Sequence, residues 1–127
     1  MRTFVVAAAL LVVASPLFAQ AAPVGLAYYE FQVTKVATVK KDSPWPKYPE
    51  VLKTAKIEGE VLATFVVDSL GMVDTASFRV LKTSHDLFTS AVRAALPGMR
   101  FEPALIGGRT VRQHVQQKFA FNIADKE

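Results

Sequence analysis

The apolar pattern of this 127-residue chain predicts an α+β fold in which a three-stranded antiparallel sheet is covered on one face by two helices. Two stretches with a period of two carry the prediction. Val61, Ala63, Phe65 and Val67 alternate along one, and Val111, Val115, Phe119, Phe121 and Ile123 share one side of the other. Between them Leu87, Phe88, Ala91, Val92 and Ala95 repeat at helical spacing. A strand, a helix and a parallel strand form a right-handed crossover. A hairpin strand placed between the two parallel ones gives the spatial order 2-1-3 and leaves the last strand at an edge.

The first element of the sheet domain is a short helix beginning at Pro49, whose missing N–H is no loss at the first helical position. Glu50 near its positive end and Lys53 and Lys56 near its negative end suit the helix dipole, and Val51, Leu52 and Ala55 form the apolar side. The first strand starts after Gly59 and stops at Asp68-Ser69-Leu70-Gly71, a hairpin turn with Gly71 available for a positive φ. The second strand opens with Val73 and continues apolar at Ala76, Phe78 and Val80. That one-residue change of phase predicts a bulge near Asp74-Thr75. Thr83 and Asp86 have the spacing of a capping box for the second helix, which ends at Pro97-Gly98. Gly107-Gly108 is a turn. The last strand is expected from Thr110 to Ile123, with Arg112, His114, Gln116, Lys118 and Asn122 on its polar side.

Upstream, residues 22–47 read as a leader. Tyr29, Phe31 and Val33 alternate with Glu30, Gln32 and Thr34, which predicts that residues 28–36 form an extra N-terminal strand against an edge of the sheet, in the same chain or swapped into a second one. Pro44, Pro46 and Pro49 around Trp45 make an extended connector. Residues 1–21 have the pattern of a cleaved export signal: Arg2, an apolar run from Phe4 to Ala14, Ser15-Pro16, then small residues with cleavage after Ala19 or Ala21. A retained inner-membrane anchor is the alternative, but the run meets Pro16 short of the ~20 apolar residues that a spanning helix needs. The division expected is therefore 1–21 signal, 22–47 leader, 48–123 folded domain and 124–127 tail.

The chain has no cysteine, so packing must supply its stability without disulfides or thiolate metal sites. Its formal net charge of +4 is scattered, without the basic cluster that nucleic acid demands. Ser84-His85-Asp86 contains the residue types of a hydrolase triad. Adjacent residues entering a helix diverge by about 100°, however, so the three cannot converge and helix capping explains them better. His85 and His114 lack the spacing of a metal pair, and Gly107-Gly108 is too short to cradle a phosphate. No catalytic residue, metal or cofactor is expected, and the protein is not read as an enzyme.

Tyr48-Pro49, Glu58-Gly59, Gly71, Arg100-Phe101-Glu102-Pro103-Ala104, Gly107-Gly108 and Phe119-Ala120-Phe121, in this order over residues 48–123, resemble the TonB C-terminal domain family. The resemblance implies a structural role for Tyr48, Pro49, Gly59, Gly71, Arg100, Phe101 and Pro103, with Phe101 buried as the second helix closes against the sheet. Met99 stands where the family often has Trp. The resemblance also implies a periplasmic module that adds the box peptide of a TonB-dependent outer-membrane transporter beside its last strand. Here that edge is Val111, Arg112, Gln113, His114, Val115, Gln116, Gln117, Lys118 and Phe119, and the role is linked to energy-dependent transport. Full-length transducers carry a membrane anchor and a long proline-rich spacer that work with the ExbB and ExbD motor. This chain is expected to be the gripping domain without them, which leaves coupling to the motor open. The alternative is a structural envelope protein that forms a homodimer through edge strands or binds the cell wall.

Overall fold

Alternating Val, Ala and Phe place the middle strand of the sheet at the centre of the core. The computed structural model describes residues 26–123. In chain order its elements are β1 (Thr38–Val39), α1 (Glu50–Thr54), β2 (Gly59–Val67), β3 (Val73–Thr83), α2 (Asp86–Ala95), β4 (Phe101–Glu102), β5 (Ala104–Ile106), β6 (Arg109–Val111) and β7 (Gln113–Phe121). The main sheet has the order β3-β2-β7, and both outer strands are antiparallel to β2. β3 and β7 are therefore parallel, and α2 lies between them in the chain, as the connection rules predict. Two small pairs, β1-β4 and β5-β6, stand beside the sheet.

Val61, Ala63, Phe65 and Val67 on β2 pack with Val115, Phe119 and Phe121 on β7 and with Phe88 and Val92 on α2. Leu52 of α1 joins the same cluster, so both helices cover one face. Phe65, Phe88, Phe101 and Phe119 are among the largest fully buried side chains, and Phe88 stacks on Phe121 with ring centroids 4.4 Å apart. Met99 is also fully buried. Tyr48 sets its ring edge-on to Phe88 and Phe121 and donates its hydroxyl to the carbonyl of Ile57, which ties the start of α1 to its end. Desolvation, reinforced by the charge of Glu58, holds the Tyr48 phenol above its ordinary pKa. Pro49 is the N-cap of α1.

Two glycines are dictated by close approach. Gly71 has φ +88° and its carbonyl accepts from the Phe101 amide at 2.8 Å, and a Cβ there would lie 2.1 Å from the Phe101 carbonyl oxygen. A Cβ on Gly59 would lie 2.5 Å from the Ser84 Cβ and 2.8 Å from the Phe88 ring. Arg100 turns back to donate to the carbonyls of Pro97 and Met99, which seals the end of α2 while Phe101 goes inward.

Several expectations need correction. Val51 is 68% exposed and Ala55 is exposed as well, because α1 is too short to present more than Leu52 to the core. Leu87 and Ala76 are also exposed. The cap of α2 is His85, whose Nδ1 accepts from the Leu87 amide at 3.0 Å, and Thr83 instead bonds the His85 backbone. The bulge in β3 is larger than a single residue. Thr64 pairs with Arg79 and Val66 with Asp74, and the Ser77 hydroxyl takes over the Val66 amide at 2.8 Å. A second slip falls between Leu62 and Ala63.

The expected strand from Thr110 to Ile123 is two strands. Gly107 and Gly108, at φ +57° and +86°, form a two-residue turn that pairs β6 with β5. At Arg112 the chain changes partner from β5 to β2, so Val111 belongs to this hairpin and faces Ala104, not a free edge. Positive φ at both turn positions is what a tight hairpin requires, and Gly-Gly meets it without steric cost.

The leader is not a continuous strand either. Tyr28 makes a single parallel bridge to Gln113, Glu30–Gln32 turns as a 3-10 helix, and Lys35 bridges Leu105. Phe31 is 84% exposed. The alternation of Tyr29, Phe31 and Val33 is thus not core-facing. The turn hydrogen bonds, Gln32 N–H to the Tyr29 carbonyl and Tyr29 N–H to the Gln32 side chain, both 2.8 Å, win over extension. The signal reading of residues 1–21 and the 124–127 tail lie outside the described residues.

Candidate functional site

The strongest candidate is the outer edge of β7, and its geometry follows from strand alternation. On the inner side β7 pairs with β2 in unbroken register from Val67↔Gln113 to Gly59↔Phe121. Side chains alternate accordingly: Gln113, Val115, Phe119 and Phe121 are buried, while Gln116, Lys118 and Ala120 are exposed.

Backbone groups alternate too. The His114 amide donates outward to the Tyr28 carbonyl at 2.8 Å, and the Tyr28 amide donates to the Arg112 carbonyl at 2.9 Å. Every second residue presents its N–H and C=O on the same side, so Gln116, Lys118 and Ala120 also point outward. Among the described residues no backbone strand occupies these rungs. Two side-chain amides shield carbonyls on this edge, Gln113 Nε2 that of His114 at 3.1 Å and Gln117 Nε2 that of Lys118 at 3.0 Å.

The expected edge residues therefore divide. Gln116, Gln117, Lys118 and Phe119 lie along the open part. Gln113, His114 and Arg112 are engaged by the leader or its neighbours, Val115 sits at the junction, and Val111 is in the hairpin. Arg112 is held by Asp74 at 3.2 Å, and Lys118 lies 3.6 Å from Glu60.

Sequence reasoning places Gln113 on the binding edge and misses its role as a buried clamp. It is buried to 3% exposure, and its Oε1 accepts from the Ala37 amide at 2.8 Å, so the side chain clamps the leader to the first residue of β7. A glutamine in an alternating strand carries no local sign of this. Its acceptor role depends on a segment 76 positions away. The leader also brings Tyr29 onto His114, stacked at 4.4 Å, and Phe31 against Tyr29 at 6.0 Å.

Ser84, His85 and Asp86 are engaged in structure. The Ser84 hydroxyl accepts from the Glu60 amide at 3.0 Å and His85 caps α2. Among the described residues no three His, Cys, Asp or Glu side chains gather as a metal site, and no helix is long and apolar enough to cross a membrane.

Comparison with known proteins places the chain in a family. Residues 44–123 match the family described as Gram-negative bacterial TonB protein C-terminal. The chain is 30% identical over 102 residues to Protein TonB of Pseudomonas aeruginosa, an alignment that covers 80% of this chain and 29% of that protein. It thus spans less than a third of the length of that relative. The fold is similar to the solution NMR structure of the Pseudomonas aeruginosa TonB CTD, at 30% identity and a TM-score of 0.56, covering 72% of this chain and 90% of that one.

Proposed function

The chain belongs to the family of Gram-negative TonB C-terminal domains, and from that membership we propose that it is a periplasmic binding module that takes a strand of an outer-membrane transporter onto the open edge of β7 during energy-dependent transport. The observation that carries this reading is the outward edge at Gln116, Lys118 and Ala120, which no backbone strand pairs among the described residues, beside a fully regular ladder. Such an edge binds an extended segment through backbone hydrogen bonds. Gln116 to Ala120 offers on the order of five such bonds at roughly 1 kcal/mol net each. Backbone pairing alone, before ordering costs, corresponds to a Kd of roughly a few hundred micromolar, and ordering weakens it further. Weak capture suits a partner that must be released in each cycle.

Localisation follows the same reading. Residues 1–21 act as an export signal, so the intact mass of the periplasmic protein begins at Gln20 or Ala22. Recovery of full-length chain in the inner-membrane fraction alone would support an anchored protein instead.

The binding test uses proline at two adjacent positions. The Gln116 N–H points outward, so Gln116→Pro removes a donor meant for the partner and leaves the β2 ladder intact. It should retain the circular dichroism of the wild type and weaken binding of a synthetic transporter N-terminal peptide by about tenfold or more. The Gln117 N–H points toward β2, and Gln117→Pro should unfold the domain. A folded Gln116→Pro variant that binds with unchanged affinity would move the site elsewhere.

A further inference from the structure

The leader does more than occupy the first rung of the edge. After Tyr28 the chain turns away through the 3-10 helix Glu30–Gln32, and the open rungs begin where it leaves. At this junction the rings of His114, Tyr29 and Phe31 form a stacked column, with interplanar angles of 16° and 6°. Beside the column lies a concavity of about 250 Å³, shared with Thr64, Val115 and Gln116. Phe31 is 84% exposed; the hydrogen bonds of the turn hold the backbone on which it sits, and its ring lies parallel to that of Tyr29. Two neighbouring solvent-exposed aromatics, Tyr29 and Phe31, beside an open strand edge form a surface suited to an apolar contact.

Resting on the strand-addition reading above, we propose that this concavity receives one apolar side chain of the strand added to β7, so that the leader sets the register and sequence preference of the partner. Side chains of an added strand alternate between the faces, and the one beside Gln116 on the outer face comes against the ring column. The next side chain on that face passes Lys118, which is exposed and 3.6 Å from Glu60, so it meets a charged pair and not an aromatic column. A single apolar position is therefore selected. Glu30 lies on the rim of the concavity, and its carboxylate disfavours an acidic occupant.

Isothermal titration of the full chain with a synthetic transporter N-terminal peptide, and with variants of that peptide carrying Ala at each position in turn, tests the inference. One position should cost about tenfold in affinity when changed to Ala with the wild-type protein, and little with Phe31→Ala, while the other positions behave alike in both proteins. Phe31→Ala itself should weaken the parent peptide by about tenfold with an unchanged melting curve, and Phe31→Leu should recover most of the loss. Unchanged affinity of Phe31→Ala, or a uniform loss without coupling to any peptide position, overturns the inference while strand addition stands. Absence of peptide binding to the wild type overturns both.

Discussion

At the β3 edge of the sheet the ladder slips twice, whereas at the β7 edge every residue from Gln113 to Phe121 keeps its partner on β2. The β3 slip opposite Phe65 gathers Asp74 and Ser77 into a local knot, in which the Ser77 hydroxyl donates to the Asp74 carbonyl and accepts from Val66. Arg79 and Lys82 are exposed on the same strand. Bulges and charges are how a sheet edge is kept from pairing with a stranger. β7 has neither a bulge nor a charge cluster, and the leader covers only its first rung. One sheet thus has an interrupted edge and a regular one, and the difference lies in register.

Three changes would break or sharpen this contrast. The largest effect belongs to Phe119→Ala, since Phe119 is fully buried and packs against Phe65 and Trp45. A loss of about 3–5 kcal/mol is expected from the cavity and the lost apolar burial, read as a lowered denaturant midpoint together with fast amide exchange along β7. Gln113→Ala should cost about 1–3 kcal/mol, because the partly buried Ala37 amide loses its acceptor. Native-state hydrogen exchange should quicken at Tyr28 and Ala37 while Gln117 and Phe119 stay protected, which separates the clamp from the ladder. The smallest effect on stability, within about 0.5 kcal/mol, is expected from Arg79→Thr with Lys82→Thr. If charge helps to guard the β3 edge, light scattering should show increased self-association of that variant with the monomer fold unchanged.

The central strand and the topology were legible because one face of β2 is uniformly apolar and the hairpin, helix and final strand leave a single sensible order. The β7 edge was legible only to that extent. The alternation of Val111 and Val115 carries the edge back to Val111 through Arg112, although the hydrogen-bond partner changes there. Gly107-Gly108 held the missing signal, since two consecutive residues with positive φ make a tight hairpin and a hairpin needs strands on both sides. The leader misled for a different reason. Tyr29 and Phe31 have the period of a buried strand, but their rings stack on each other and on His114 without entering the core. His85 as a helix cap and Gln113 as a buried clamp depend on where neighbours lie in space, and composition does not reveal that.

The central claim is that the open rungs of β7 are where a partner strand adds, and amide-resolved NMR of the 15N-labelled chain tests it most directly. On titration with a transporter N-terminal peptide, the amides of Gln116, Lys118 and Ala120 should shift downfield and gain protection from exchange, with Gln117 and Phe119 already protected and the β3 amides unchanged. Shifts confined to β3, or to α1 and α2, with Gln116, Lys118 and Ala120 unmoved at saturation, would contradict it.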